Sequence, residues 1–339
     1  MSTLGSRNPL TLSKAAASLS VLSILLLSGC SGLQVKLGWK VTLTKTPVKT
    51  MEASLPQGPA IAPGAKSSLV ITFTDPTGKI LVTEGKGKGK VQWKELNVVA
   101  TVVTAKKGVL SLSRDPRVSD GKTGHVTITI PSQPGLQTDL DIPFRYDIKF
   151  SSNYSGASGS SGFNGTDGTS GSNGMDGSTD PDNPSAGGNG GNGTDGTNGS
   201  DGGDGGDGPA VSVRMTLQPG THPLLQFAVI AAGAKSPRFY LVDPQGGSLY
   251  VASNGGSGGS GGKGGSGGSG GSGGNGSPPG MSGNSGSSGS NGSDGSSGSG
   301  GSITVTYDPQ TQPFLSTLHL SSPGGPKPTF QQASVPLLW

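Results

Sequence analysis

GGNGGNGTDGTNGSDGGDGGDG, residues 187–208, carries a glycine at every third position without a miss. Three further runs do the same, at 156–177, 255–276 and 280–301, and each run holds eight such glycines. Pro181 and Pro184 separate the first two runs, and Pro278 and Pro279 separate the last two. The pattern predicts two hairpins with arms of equal length. A period of three is neither helix nor strand. It is the repeat of the left-handed polyproline-II helix, three residues per turn at about 3.1 Å rise.

Such a helix presents three rows, here Gly, X and Y. A bare glycine row lets a neighbouring backbone come close enough for interchain N–H···O=C bonds. In the second run the Y row is Asn189, Asn192, Asp195, Asn198, Asp201, Asp204 and Asp207, and the X row is only Gly, Ser and Thr. The third run is Gly-Gly-Y almost throughout, with Ser257, Ser260, Lys263 and Ser266 as the first side chains. These two runs read as the inner members of a packed bundle. Runs one and four carry larger X residues, among them Phe163, Met175, Met281 and Asn284, and read as outer members.

Three other readings compete. A flexible Gly/Ser linker needs no register, yet register holds across four runs of varied X and Y content. Repeat expansion at the DNA level suits run three and explains runs two and four poorly. A collagen triple helix wants proline at X and Y, and proline is missing inside the runs. Ordering a residue costs about 1–2 kcal/mol and a net hydrogen bond returns about 0.5–1.5 kcal/mol, so a bundle needs a well-folded anchor at its base.

The first residues of the chain are an address. Arg7 and Lys14 precede an apolar stretch at 15–27, too short to span a bilayer, which ends Leu27-Ser28-Gly29-Cys30. That ending resembles the cleavage box of bacterial lipoproteins. The resemblance implies lipid on the Cys30 thiol, removal of residues 1–29, and, with Ser31 next, an outer-membrane destination. Cys30 is the only cysteine among 339 residues, which excludes internal disulfides and zinc–thiolate clusters.

From 33 to 150 the signal is period two. Leu33, Val35, Leu37, Trp39, Val41 and Leu43 alternate with polar or small residues, and Leu140, Ile142, Phe144, Tyr146, Ile148 and Phe150 do likewise. Intervening strands are expected at 68–74, 79–83, 90–93, 96–104, 109–112 and 125–130. Seven or eight short strands argue an antiparallel β-sandwich over 30–150, with an immunoglobulin-like arrangement expected. Beyond the first glycine hairpin (151–208), strands resume at 211–217, 224–230, 238–242 and 248–252. After the second hairpin (255–302), they are expected at 303–307, 314–320 and 335–339. Segments 209–254 and 303–339 are thus two halves of a second β-module that clamps the hairpins, with three runs joined directly to a strand. The fold class is all-β, with no substantial helix outside the signal peptide.

The segment 202–227, GGDGGDGPAVSVRMTLQPGTHPLLQF, resembles the glycine-rich N-terminal domain of the Obg GTPases, by pattern only and over roughly 156–307. That resemblance implies polyglycine-II helices projecting from a β-structure. No GTPase follows, and a ribosomal role does not suit an exported chain.

Signals for chemistry are sparse. His125, His222 and His319 stand without ligand or nucleophile spacing. Gly121-Lys122-Thr123 ends like a P-loop, but Pro116 occupies the place of its first glycine. The stretch Gly190-Gly-Asn-Gly-Thr-Asp195 begins like a calcium-binding nonapeptide, yet its repeat is three, and aspartates about 9 Å apart cannot share one ion. No catalytic residue, metal site or cofactor is assigned.

Charge is divided: residues 33–150 hold 17 Lys/Arg against 9 Asp/Glu, net +8, whereas 156–208 hold eight aspartates and no base, net −8. Lys86, Lys88 and Lys90 lie in a glycine-rich loop without interleaved aromatics, so nucleic acid is not an expected partner. Anionic head groups or envelope polymers are the functional alternative to a solvated loop. The expectation is a lipid-anchored, non-enzymatic outer-membrane protein. Its bundle meets a protein or polysaccharide of the envelope. The alternatives are a spacer with disordered linkers, or an ice- or polymer-binding surface. Oligomeric state is left unassigned.

Overall fold

The computed structural model describes Val35, Leu37 and residues 39–339. The expected signal peptide and Cys30 lie outside the described residues. Strands dominate, and apart from Val35 the helical residues sit in short 3-10 turns, of which Pro309–Thr317 is the longest. The chain divides into two compact units, one ending at Tyr146 and the other beginning at Asp147.

The first unit holds nine strands among the described residues: β1 (Thr50–Ser54), β2 (Lys66–Ser68), β3 (Val70–Thr74), β4 (Ile80–Val82), β5 (Asn97–Thr101), β6 (Val103–Lys106), β7 (Val109–Leu112), β8 (Gly124–Ile130) and β9 (Gln133–Ile142). They pair antiparallel in three sheets of order β1-β3-β4, β2-β7-β6 and β5-β8-β9. All three feed one core, in which Ile71, Phe73, Leu110, Ile128, Ile130 and Ile142 are fully buried. Strand β8 shows why: Val126, Ile128 and Ile130 point inward while His125, Thr127 and Thr129 alternate outward.

Five strand expectations need correction here. The run at 68–74 breaks at Leu69, so that Ser68 ends β2 and Val70 opens β3 in a different sheet. The alternation at 33–43 does not make a strand in the described residues. Val35 is helical, Leu37 lies in a turn, and Leu37 and Trp39 are 50% and 56% exposed. Val41 alone finds a partner, in an isolated bridge with Val91. Alternation supplies a face, but a strand also needs a neighbouring ladder. The residues at 90–93 likewise form only bridges and a 3-10 turn at Trp93–Glu95. The run at 96–104 breaks at Val102, whose φ of +66° turns the chain and sends β5 and β6 into different sheets. The run at 140–150 breaks after Ile142, where Pro143 removes a donor.

Beyond Tyr146 the chain enters the second unit. Strand β10 (Lys149–Ser155) pairs parallel with β14 (Ser248–Asn254), which pairs parallel with β16 (Leu318–Ser321). The domain boundary therefore falls between 146 and 147, not at 150. A second sheet has the order β13-β12-β11-β15-β17, from β11 (Val211–Gln218), β12 (Leu224–Ala231), β13 (Arg238–Val242), β15 (Ile303–Tyr307) and β17 (Thr329–Gln332). Val213, Met215, Phe227 and Val229 of the larger sheet pack with Leu249 and Val251 of the smaller one. The expected strand at 314–320 is shortened. Asp308 caps a 3-10 turn opened by Pro309, and only Leu318–Ser321 is extended into a ladder. Residues 335–339 form no strand, and β17 was not foreseen.

All four glycine runs join strands without a linker, including run one, which leaves β10 at Ser155. Their backbones are hydrogen-bonded along their whole length, so the disordered-linker reading does not hold.

Candidate interaction surface

The bundle is built by five ladders. The Gly-row N–H groups of run one donate to Y-row carbonyls of run three, from Gly159 to Ser257 up to Gly177 to Asn275, at 2.6–2.8 Å. Those of run two donate to run four, from Gly190 to Met281 onward. X-row N–H groups of run two donate to antiparallel run one, as Thr197 does to Thr166, and those of run three donate to run two, as Gly265 does to Thr197. The Gly row of run four donates to run three, as Gly289 does to Gly265. Runs two and three each touch three neighbours and runs one and four only two. The inner and outer assignment of the sequence reading holds.

This arrangement explains the composition of each row. A Cβ on Gly267 would collide with the carbonyl of Gly286 in run four, and one on Gly268 with the carbonyl of Thr169 in run one. Run three is enclosed along two rows, so only Y can carry a side chain. In run two the X row is roomier. Thr194, Thr197 and Ser200 fit there, and their hydroxyl oxygens accept the N–H groups of Thr169, Thr166 and Phe163 at 2.7–2.8 Å.

The Asn/Asp row of run two has a role that sequence reasoning missed. Oδ1 of Asn189, Asn192, Asp195, Asn198, Asp201, Asp204 and Asp207 each accepts an X-row N–H of run four, from Met281 to Ser299, at 2.6–2.9 Å. In run one, Oδ1 of Asn164, Asp167, Asn173 and Asp176 likewise accepts N–H groups of run three, there from the Y row. The signal was present in the sequence. Asn and Asp interchange freely along one row, and an Oδ1 acceptor is what they share.

The outer surfaces differ in charge. Asp195, Asp201, Asp204 and Asp207 line the run-two/run-four surface, Asp167 and Asp176 lie against run three, and Asp294 of run four also meets run three. The run-one/run-two surface is formed by their X rows and bears no charge. It shows the hydroxyl pairs Thr166–Thr197 and Thr169–Thr194, both at 3.1 Å, flanked by Phe163 and Met175, 83% and 87% exposed. Met281 of run four is 72% exposed.

Elsewhere the histidines are accounted for. His125 Nδ1 lies 2.7 Å from Asp141 Oδ1, and its Nε2 lies 3.2 Å from both Asp139 Oδ1 and the Thr127 hydroxyl. The spacing is that of a nucleophile–base–acid row, but Thr127 donates to Asp139 at 2.6 Å, not to the imidazole. The group sits on the open face of β8 and β9. Hydrogen bonding to Asp141, and then to Asp139, raises the His125 pKa, which favours a surface imidazolium between two carboxylates. His222 Nε2 pairs with Asp243 at 2.7 Å, and His319 is exposed on β16. Lys122 donates to the Val118 carbonyl at 3.2 Å, and Lys86, Lys88 and Lys90 are exposed. Among the described residues no helix is long and apolar enough to cross a membrane.

Compared with protein-family models, curated proteins and solved structures, the chain matches none.

Proposed function

We propose that this chain is a lipid-anchored, non-enzymatic protein of the outer membrane that presents its glycine bundle as a rigid rod for adhesion or envelope interaction. The observation that carries the reading is the exposure of Phe163, Met175 and Met281 on a rod whose other residues are Gly, Ala, Ser, Thr, Asn and Asp with the single lysine Lys263. Large apolar side chains held on a fully hydrogen-bonded scaffold are what a binding surface needs, and a spacer has no use for them. Each run of 22 residues extends about 65 Å at the threefold rise. The nine-strand unit is read as an immunoglobulin-like module following the anchor in sequence. Its basic surface is suited to anionic head groups or polymers.

A second reading, a polymer- or ice-binding surface, is favoured by one feature. The aspartates of run two lie against run four, which leaves the paired-threonine surface uncharged.

The anchor is tested by Cys30→Ala, which should yield an unprocessed precursor without lipid. The surface is tested with Phe163→Ser, Met175→Ser and Met281→Ser combined. Cell-surface or envelope binding should fall while the far-ultraviolet spectrum stays unchanged. A mature protein with no lipid on Cys30, or full binding by the triple variant, contradicts the reading.

A further inference from the structure

The larger sheet of the second unit has a face turned away from its core, and that face is not closed. Ser212 and Arg214 of β11, Ala228 and Ile230 of β12, and Phe239 of β13 share it, as the ladder registers require. Residues 335–339 cross one end. The Val335 carbonyl accepts the Thr216 hydroxyl at 2.8 Å, and Leu338 N–H donates to Gln226 Oε1 at 2.8 Å. The Trp339 ring stands edge-on to Phe239, with centroids 5.6 Å apart.

Between this segment and the sheet lies a cavity of about 320 Å³, walled by Ala228, Ile230, Phe239, Pro237, Leu337 and Arg214. A second hollow of about 370 Å³ adjoins it through the shared residues Ser212 and Ile230, and continues along Ala210, Ala232 and Ala234. The two make one trough whose walls are mainly aliphatic and aromatic, with Ser212, Ser302 and Thr304 among them. Among the described residues Arg214 is its only charged lining residue, and the guanidinium has no hydrogen-bond or ion-pair partner there.

We propose that the trough binds a single-chain fatty carboxylate, with the acyl chain along Ile230 and the alanines and the carboxylate on Arg214. An apolar trough with one convergent polar group is the usual form of a small-molecule site. A guanidinium offers a fork of donors matched to a carboxylate. Burying the chain removes apolar surface from water on both sides. Among the described residues, no acid lines the trough to compete for the arginine.

The test uses the mature full-length chain, titrated with dodecanoate below its micellar range and followed by the Trp339 indole resonance. Saturable binding is expected, weakened about tenfold or more by Arg214→Met and partly restored by Arg214→Lys. Dodecanol, with the same chain and no charge, should bind the Arg214→Met variant as it binds the parent. Ala228→Leu, which fills the cavity, should weaken both ligands and serves as an independent check. Absence of saturation by dodecanoate, or equal dodecanoate affinity in Arg214→Met, overturns the proposal. Binding of dodecyl phosphate without dodecanoate also overturns it and assigns a phosphate head group instead.

Discussion

Oδ1 of Asp201 accepts the backbone N–H of Ser293 at 2.7 Å across a sequence separation of 92, and Val211 pairs with Ile303 at the same separation. The parallel register of β11 and β15 therefore continues without a slip into runs two and four. The other pair behaves identically: Lys149 pairs with Ser248 at a separation of 99, and Asp167 meets Ser266 at 99. Glycine runs have no side-chain code strong enough to choose one register from its neighbours three residues away. The hydrophobic faces of the strands do choose, because a strand slipped by one residue exposes its core. The sheets set the register and the runs propagate it.

Inserting one glycine between Gly208 and Pro209 should therefore dissolve the bundle, since every acceptor of run two would miss its run-four donor. Removing one full triplet from the middle of all four runs should leave a shorter, intact bundle. Circular dichroism and amide exchange distinguish the two variants. An intact bundle after the single insertion would show that the runs choose their own register.

Run three should tolerate substitution only in its Y row. Gly268→Ala places a methyl against the Thr169 carbonyl and should destabilise the bundle by about 1–3 kcal/mol. Gly267→Val, against the Gly286 carbonyl, should do so as well. Ser266→Val, at an exposed position, should be close to neutral. Thermal melts of the three variants check this, and equal effects would contradict the packing.

The aspartates of run two should matter as acceptors and not as charges. Asp204→Asn keeps Oδ1 on the Ser296 N–H and should change stability little. Asp204→Ala removes it and should cost about 0.5–1.5 kcal/mol, moderated by solvent at this surface. An equal loss in the Asn and Ala variants would assign the row to electrostatics.

His125 gives the first unit a pH dependence. Its pKa is raised in the folded state, chiefly by Asp141, so its contribution is complete below the ordinary imidazole value of about 6.5 and is lost as pH rises through the folded value. The difference in unfolding temperature between the parent and His125→Gln should shrink across that window. A difference that grows with pH would reverse the assignment.

Much of this architecture was legible because it rests on strict periods. The eight-glycine runs dictated threefold helices, their X and Y content separated inner from outer members, and the alternation at 125–130 became β8. What was not legible depended on partners. Leu37 and Trp39 alternate as well as any strand but find no ladder. The stretch at 140–150 hid a unit boundary, because Phe150 looks the same to either core. The Oδ1 acceptors needed the neighbouring run in place before their purpose showed. The trough at Arg214 depends on residues 335–339 crossing the sheet, a path that no local pattern announces.

Amide exchange of residues 255–276 measures the central claim most directly. In run three the X-row N–H groups, from Gly256 to Gly274, are buried and donate to run-two carbonyls. The account predicts slow exchange at every third residue in this register, collapsing together when Gly268→Ala is introduced. Uniformly fast exchange in the parent protein would mean that the four runs do not pack, and the rod would have to be abandoned.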